Sequence, residues 1–426
     1  MGRIIFFLSL WACPLAACAD ELNSADTAWI LTSAGLVLFM TLPGLALFYG
    51  GLVRSKNVLS IIMACFSITS LISVLWAVAG YSLALTDGGP WQNVLGGLSQ
   101  LFFVDMDAEK LVGNIPEAVF SMYHLTFAIF APALIVGALA ERVKFSALIL
   151  FCTLWSLLVY TPVCHWIWGG GWLAEAGVMD FAGGIVVHGS AGTAALVGAV
   201  IAGPRRGFPH TPLMPHSLTI TAIGAGILWV GWHGFSAGSA LMANGAAGMA
   251  MLSTHLCASS AAITWIVLDW LRFGKPSVLG VMTGMVAGLG IIAAGAGFVS
   301  PAGALLIGIL AGVACYYAIQ LIKHRLRIDD ALDVFPVHGV SGIFGALLTA
   351  VFADETFGGI GILSESGMGG QLLSQLLGIV VVAAWSGMIS FFLFKLIDRT
   401  LGLRVAEEDE VSGLDISLHD QRGYDM

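Results

Sequence analysis

Long apolar stretches separated by short polar connections recur along the whole chain of 426 residues. A helix that crosses a bilayer needs about 20 consecutive, mostly apolar residues, and eleven stretches after the first 19 residues meet this requirement. The pattern therefore predicts an all-α polytopic membrane protein with eleven transmembrane helices. The stretches cover residues 29–50, 58–84, 117–140, 146–168, 180–202, 217–240, 250–271, 278–298, 302–322, 335–353 and 371–397.

Residues 1–19 form a separate apolar segment and predict a cleaved signal peptide. Arg3 precedes a short apolar core, and the small residues 17–19 provide a cleavage site. Two other interpretations stay open. The segment is too short, and too interrupted by Pro14, to be a good additional transmembrane helix. The sequence LAAC (residues 15–18) also resembles a bacterial lipoprotein signal, which would leave a lipidated Cys18.

Composition and charge agree with a membrane protein and set its orientation. The chain is 58% hydrophobic and 10% charged, whereas soluble domains are about 25% charged. With the mature N-terminus outside, fifteen basic residues lie on the cytoplasmic side and only Lys110 lies in an outer loop. Basic residues favour the cytoplasmic side, so the C-terminus is predicted to be cytoplasmic. The fifteen are Arg54, Lys56, Arg142, Lys144, Arg205, Arg206, Arg272, Lys275, Lys323, Arg325, Arg327, Lys395, Arg399, Arg404 and Arg422.

Two segments share the frame Val-His-Gly-x-x-Gly, namely VVHGSAG at residues 186–192 and PVHGVSG at residues 336–342. They fall in predicted helices 5 and 10. Five helices per copy reverse the orientation of the second copy, so the sequence predicts a 5+5 inverted repeat with one final helix, as in many transporters. The predicted parts are residues 20–203 (helices 1–5), 204–353 (helices 6–10), 354–401 (helix 11) and a cytoplasmic tail, 402–426.

An aspartate precedes each frame at the same distance: Asp180 lies eight residues before His188, and Asp330 lies eight before His338. If each aspartate caps the start of its helix, eight residues place each histidine about 12 Å deep. Entering a hydrocarbon core about 30 Å thick from opposite sides, the imidazoles end within roughly 6 Å of each other in height. We therefore expect them to meet near the membrane centre, with the adjacent glycines allowing close helix contact.

Ionisable groups within membrane spans are costly and usually functional, although a lone histidine is more often a satisfied interior residue. Two neutral imidazoles in contact suit a small neutral polar molecule or a proton. A metal site is the competing hypothesis, but neither frame brings a Glu, Cys or second His within reach on its helix. The remaining inner carboxylates, Asp329 and Asp333, are expected to pair with Arg325 or Arg327.

Six stretches spread over residues 29–405 carry a more specific pattern. They are LFYGGLVRSKNVLS (47–60), IVGALAERVKFSA (135–147), HWIWGGGWL (165–173), DFAGGIVVHGSAG (180–192), GWHGFSAGSA (231–240) and DVFPVHGVSGIFG (333–345). In this order they resemble the ammonium transporter family, the Amt, Mep and Rh proteins, and bacterial Amt proteins most of all.

The resemblance implies a homotrimer with one pore per subunit, ammonium or ammonia as the substrate, and neither cofactor, metal nor nucleic acid. It also implies three groups of site residues. The outer recruitment site corresponds to Trp168, Phe127, Ser239 and Asp180. A gate of two stacked rings corresponds to Phe127 and Phe235. The pore lining corresponds to His188, His338 and Trp232.

Two positions depart from the family pattern. His124 stands where glutamine is usual, and His233 where an aromatic residue such as Phe is usual; each either packs as a neutral side chain or adds a titratable group near the outer site. The acidic tail is either a disordered end or, as the resemblance implies, folds back under neighbouring subunits and meets a PII-type signalling protein.

The sequence thus predicts a transporter of the bacterial inner membrane and not an enzyme. It would recruit ammonium outside, deprotonate it, and conduct ammonia, with a proton, to the cytoplasm. Three alternatives stay open: an Rh-type passive gas channel, an ammonium receptor with little flux, and a histidine-metal membrane enzyme. The enzyme is disfavoured because the sequence offers neither a nucleophile nor a third metal ligand.

Overall fold

Helices dominate this computed structural model, which describes residues 21–424, so the predicted signal peptide lies outside the described residues. Among these residues, ten helices are long and apolar enough to cross a membrane, and one further apolar helix, α8, is shorter. In chain order the helices are α1 (Ser24–Leu52), α2 (Ser55–Leu85), α3 (Glu117–Leu139), α4 (Phe145–Glu175), α5 (Gly184–Ala202), α6 (Leu218–Gly238), α7 (Gly245–Phe273), α8 (Val278–Ile292), α9 (Pro301–Arg325), α10 (Phe335–Phe352) and α11 (Gly367–Thr400).

The eighth predicted span, 278–298, is only partly helical, because α8 ends at Ile292 after 15 residues. The segment 293–299 continues as buried turns. Its Ala293 and Ala294 carbonyl oxygens accept hydrogen bonds from the N–H groups of Ala182 and Phe181, at 2.8 and 2.9 Å. Non-helical backbone at membrane depth needs such partners inside the protein. Between residues 21 and 424, ten helices therefore have the length of a full span, and the predicted count of eleven is not confirmed.

Both histidine frames begin in a wide, π-helical turn. Gly184–Gly189 opens α5 and carries His188, and Phe335–Gly339 opens α10 and carries His338. Such turns are rare, and they occur frequently at functional sites. The apolar pattern predicts the helices but not this irregular winding, which is repeated at the same place in both frames.

Glycines bring α5 and α10 into backbone contact at the centre of the protein. A Cβ atom added at Gly192 would lie 2.3 Å from the Gly339 Cα atom. One added at Gly342 would lie 2.8 Å from the Gly189 nitrogen atom. The contact is therefore reciprocal, with each frame using its second glycine against the first glycine of the other. The expected close approach is confirmed, whereas the repeat boundary at residues 203 and 204 stays a prediction.

Four residues, three of them buried and one partly exposed, form an ion network on the inner side, which we define as the side of the C-terminal tail. Glu141 binds Arg54 (3.0 Å) and Arg205 (2.9 Å), and Arg205 also binds Asp329 (2.8 Å). These four residues, the inner ion network, tie together the connections after α1, α3, α5 and α9. Burial alone would raise the pKa of Glu141, but Arg205 and Arg54 hold that pKa below its ordinary value.

The expected pairing of two inner carboxylates with Arg325 or Arg327 is wrong. Asp329 binds Arg205 of the inner ion network, because the connection after α5 reaches the segment that precedes α10. Asp333 instead binds Lys323 at 2.8 Å. Nearest basic residues along the chain were therefore a poor guide to partners that the fold brings in from elsewhere.

The described part of the tail is folded, so the hypothesis of a disordered acidic end is wrong for it. It contains two short helices, α12 (Glu407–Ser412) and α13 (Leu414–His419). Glu410 is buried and binds Arg404 at 2.7 Å. Asp415 accepts the N–H groups of Leu59 and Ser60 near the start of α2, at 3.0 and 2.7 Å. A small hairpin, β1 (Leu111–Val112) and β2 (Ile115–Pro116), lies directly before α3.

Candidate functional site

The two frame histidines meet in the interior, as expected from their depth. The Nδ1 atoms of His188 and His338 are 3.3 Å apart, and their rings are nearly parallel, with centroids 5.3 Å apart. Both side chains are buried. A hydrogen bond between two imidazole nitrogens needs exactly one proton between them, so one ring donates from Nδ1 and the other accepts. We call these two residues the histidine pair.

Trp232 extends the histidine pair with a third ring. It lies parallel to His188, with centroids 5.3 Å apart and planes 7° apart. The His188 Nε2 atom and the Trp232 Nε1 atom are both fully enclosed, and neither has a hydrogen-bond partner among the described residues. Buried polar groups are nearly always paired. Two unpaired ring nitrogens on neighbouring rings therefore mark a place where a small polar molecule would gain hydrogen bonds.

Aromatic rings continue from the histidine pair toward the outer side. Phe235 of α6 lies 5.9 Å from His188, Phe127 of α3 stacks on Phe235 at 4.3 Å, and Trp168 of α4 meets Phe127 edge-on at 5.6 Å. All distances join ring centroids. Phe127 and Phe235 are buried, whereas Trp168 is partly exposed. The rings thus form one continuous series from a partly open outer end to the buried histidine pair.

Ser239 lies at the outer end of this series, directly after α6. Its hydroxyl donates to the Phe235 carbonyl oxygen at 3.0 Å and lies 3.2 Å from the Tyr123 hydroxyl. We call Trp168, Phe127, Phe235 and Ser239 the outer cluster. The structure therefore brings together the residues that the resemblance assigned to recruitment and gating.

Asp180 contributes to the outer cluster through its backbone rather than its charge. Its carbonyl oxygen accepts the Trp168 Nε1–H at 2.8 Å. Its carboxylate accepts four backbone N–H groups, those of residues 183 to 186, at 2.6 to 3.1 Å. Asp330 accepts two such groups, from Val334 and Phe335, at 3.0 and 2.7 Å. The predicted capping role is confirmed for both aspartates.

Two members of the ring series, Phe130 and Tyr123, were not predicted from the sequence. Phe130 meets Phe235, Trp232 and His188 with centroid distances of 5.8, 5.6 and 6.3 Å. Tyr123 meets Phe127 at 5.1 Å. Both lie on α3 within one turn of Phe127, so a signal existed: residues three and four apart share a helix face.

The two histidines that differ from the family pattern, His124 and His233, have different surroundings. The ring of His124 lies 6.1 Å from Trp168 and 6.4 Å from Phe127, so it belongs beside the outer cluster. His233 instead stacks on His255 of α7 at 5.6 Å, on the outward surface of α6 and α7. His233 therefore does not join the ring series.

Comparison with known proteins decides the family. The family model described as Ammonium Transporter Family matches residues 28–424. An ammonium transporter from Aquifex aeolicus is 45% identical to this chain, covering 100% of the chain and 99% of the relative. The chain belongs to the ammonium transporter family.

Solved structures agree with this membership of the ammonium transporter family. A structure described as a Sensor Amt Protein superimposes with a TM-score of 0.86 at 28% identity, covering 93% of this chain and 98% of the other. The crystal structure of Saccharomyces cerevisiae Mep2 gives a TM-score of 0.83 at 33% identity, covering 91% and 89%. The protein is therefore a multi-pass membrane protein with the helical fold of Amt and Mep proteins.

The competing hypothesis of a metal site needs further ligands beside the histidine pair. Within residues 21–424, no group of three or more His, Cys, Asp or Glu side chains is placed to hold a metal ion. The histidine pair is surrounded by Trp232, Phe130 and Phe235, which are not metal ligands.

Proposed function

We propose that the protein recruits ammonium at the outer cluster, removes a proton, and conducts ammonia past the histidine pair to the cytoplasm. The observation that carries this proposal is the pair of unpartnered ring nitrogens, His188 Nε2 and Trp232 Nε1, at the buried end of the ring series. The Trp N–H is a donor, and the imidazole supplies a second hydrogen-bonding nitrogen. A molecule as small as ammonia, with one lone pair and three N–H groups, matches such a site.

The outer cluster suits the charged form of the substrate. Aromatic rings attract a cation by about 0.5 to 2 kcal/mol, depending on desolvation. The partly exposed Trp168 and the buried Phe127 supply these rings, and the Ser239 oxygen provides an acceptor. Asp180 supports the arrangement by holding the Trp168 indole with its carbonyl oxygen. Below them, the stacked rings of Phe127 and Phe235 act as a gate that must separate for passage.

Loss of the proton explains how the substrate crosses the centre and why other cations do not. Moving a charge through the interior of a membrane protein is costly, whereas neutral ammonia avoids this cost. Potassium has no proton to release. The shared proton of the histidine pair also offers a route for proton transfer, which would make transport electrogenic.

Reconstitution in liposomes tests the proposal. We expect wild-type protein to give ammonium-dependent flux and current, and the variant with His188→Ala and His338→Ala to lose the selectivity for ammonium over potassium. His210→Ala is the matched control, because this exposed histidine lies in the connection between α5 and α6, outside the ring series. Unchanged selectivity in the double variant would contradict the role of the histidine pair. Flux of ammonia without current would favour a passive gas channel of Rh type.

A sensing role is the second candidate. It is favoured by the superposition on a structure described as a Sensor Amt Protein. A receptor would use the same outer cluster to bind ammonium but would conduct little. Saturable ammonium binding by the purified protein without flux in liposomes would support sensing over transport.

We further propose assembly as a homotrimer through the surface formed by α1, α6 and α7. His255 is exposed on α7, with His233 beside it, and the exposed Gly35, Gly226 and Gly248 have open space around them. Imidazoles are costly toward lipid, and small residues favour helix contact between subunits. Native mass measurement should give three subunits. Gly226→Trp should lower this number, whereas Val200→Trp, at an exposed position near the end of α5, should not.

The localisation and the signalling partner follow from the same proposal. We place the protein in a bacterial inner membrane with the folded tail in the cytoplasm, where a PII-type protein would dock. The tail supports this by presenting exposed acidic residues of α12 beside the inner connections. Inside-out vesicles should bind a purified PII-type protein, and right-side-out vesicles should not. Equal binding to both would contradict the orientation.

A further inference from the structure

His124 has one ring nitrogen engaged and one available. Its Nδ1 atom lies 3.0 Å from the Phe120 carbonyl oxygen. A carbonyl oxygen only accepts hydrogen bonds, so Nδ1 carries the proton whenever the ring is neutral. The Nε2 atom then holds a lone pair and is an acceptor. The hydrogen bond to Phe120 thus fixes the tautomer of His124.

The ring that carries this nitrogen lies beside Trp168 and Phe127, at the outer end of the ring series. The side chain of His124 is 9% exposed, and Nδ1 is its nitrogen with a partner among the described residues. Its ring packs against Phe120 at 4.3 Å and Tyr123 at 5.7 Å, which fix its position. His124 is therefore ordered by packing on one side while its acceptor stays free.

The rings of His124, Trp168 and Phe127 form a triangle. The three centroid distances are 6.1 Å (His124 to Trp168), 6.4 Å (His124 to Phe127) and 5.6 Å (Phe127 to Trp168). A point central to such a triangle lies about 3.5 Å from each centroid, within the distance of about 6 Å at which rings attract cations. Two corners of the triangle are the aromatic rings of Trp168 and Phe127, and the third corner is the imidazole that carries the nitrogen acceptor.

We propose that His124 is a direct ligand of ammonium in the outer site, accepting an N–H of the cation at Nε2. This inference rests on the proposed function and adds a residue to its recruitment step. A hydrogen bond discriminates ammonium from potassium, which has no hydrogen to donate, whereas ring attraction alone discriminates these cations weakly. His124 therefore gives the outer cluster a directional contact in addition to its ring faces.

The same ligand makes recruitment sensitive to acid. Protonation of His124 at Nε2 removes the lone pair and places a positive charge in a cation site. Tyr123 packs against the His124 ring, and its hydroxyl is bound to Gly234, Phe235 and Ser239. Asp180 holds the indole of the neighbouring Trp168, and its carboxylate is occupied by four N–H groups. Neither is positioned to compensate the charge of a protonated His124, so ammonium affinity falls at acid pH.

Three variants test the ligand in the reconstituted full-length protein, with ammonium as the probe. His124→Phe keeps the ring packing and loses the acceptor, so the apparent KM for ammonium should rise about tenfold or more, while the maximal flux changes less. His124→Gln keeps an acceptor oxygen, so its KM should stay near the wild-type value and lose the increase seen at acid pH. As a control, His210→Phe in the exposed connection between α5 and α6 should leave both the KM and its pH dependence unchanged.

The outcomes separate this inference from the proposed function. A wild-type protein without ammonium flux or binding would overturn the proposed function itself. Normal wild-type flux, with an unchanged KM in His124→Phe, would overturn only the role of His124. If His124→Phe does not fold, an unchanged pH dependence in His124→Gln overturns the inference in the same way.

Discussion

The two histidine frames share a backbone design but differ in their surroundings. In residues 180–192 and 330–342, an aspartate caps a π-helical turn that carries a buried histidine. The frame at residues 180–192, the outer frame, is surrounded by uncharged rings. The first of these is the Trp168 indole, which donates a hydrogen bond to the Asp180 carbonyl oxygen. The frame at residues 330–342, the inner frame, instead follows directly after Asp329 of the inner ion network.

This difference gives a symmetric core two unequal ends. Uncharged rings attract a cation weakly and release it easily, which suits recruitment. Buried ion pairs lock the inner connections in place, because removing one partner leaves an uncompensated charge. The repeated frame therefore builds the centre of the protein, and the residues outside the frame give it a direction.

The aspartate caps provide the largest contrast between the frames. Asp180→Asn leaves one oxygen for four buried N–H groups, and each unsatisfied group costs about 1 to 3 kcal/mol. Two of the four groups at Asp180 and one of the two at Asp330 lose their acceptor. We therefore expect Asp180→Asn to lose about 2 to 6 kcal/mol of stability in detergent, and Asp330→Asn about 1 to 3 kcal/mol. Thermal unfolding of the two purified variants measures the difference. Equal losses would show that the number of N–H groups bound by each aspartate does not determine its contribution to stability.

The inner ion network should be less tolerant of substitution than any exposed ion pair nearby. Arg205→Met leaves Glu141 and Asp329 buried without their shared partner, and such a change costs about 3 to 5 kcal/mol. Denaturation of purified protein should show a reduced midpoint or no folded fraction. Full stability would contradict the assigned role of Arg205.

Acid should affect the inner frame through the same network. Burial alone would raise the pKa of Asp329, but hydrogen bonds and charge from Arg205 hold that pKa below its ordinary value, as they do for Glu141. A carboxylate with a depressed pKa stabilises the fold above its unfolded pKa of about 4, and this contribution is lost as the pH falls further. The melting temperature should therefore be level above about pH 5 and fall below about pH 4. Arg205→Met should weaken this dependence of the melting temperature on acid. An unchanged dependence in the variant would contradict the role of Arg205 in lowering the two pKa values.

An exposed ion pair beside the network supplies the smallest effect. Arg206 binds Glu407 at 2.9 Å, but the two side chains are 58% and 71% exposed. Exposed pairs contribute about 0 to 1 kcal/mol, so Arg206→Ala should change the melting temperature little, and added salt should remove the change. A loss as large as that of Arg205→Met would mean that burial is not what distinguishes the two arginines.

The sequence predicted the histidine pair because equal spacing from two caps fixes equal depth, whatever the details of packing. It also indicated most of the spanning helices, since length and apolar composition decide them. It did not predict the end of α8 at Ile292, because buried turns are as apolar as a helix. Nor did it predict that Asp329 would bind Arg205, because residues 124 positions apart meet only through the fold. The π-helical turns have no sequence signature of their own.

Asp415 has a consequence for the biosynthesis of the protein. It satisfies the N–H groups of Leu59 and Ser60, which precede it by about 355 residues. Chains are made and folded from the N-terminus, so α2 enters the membrane long before its cap has been translated. A chain that stops before Asp415 would contain all the described spanning helices, but the N–H groups at the start of α2 would lack this acceptor.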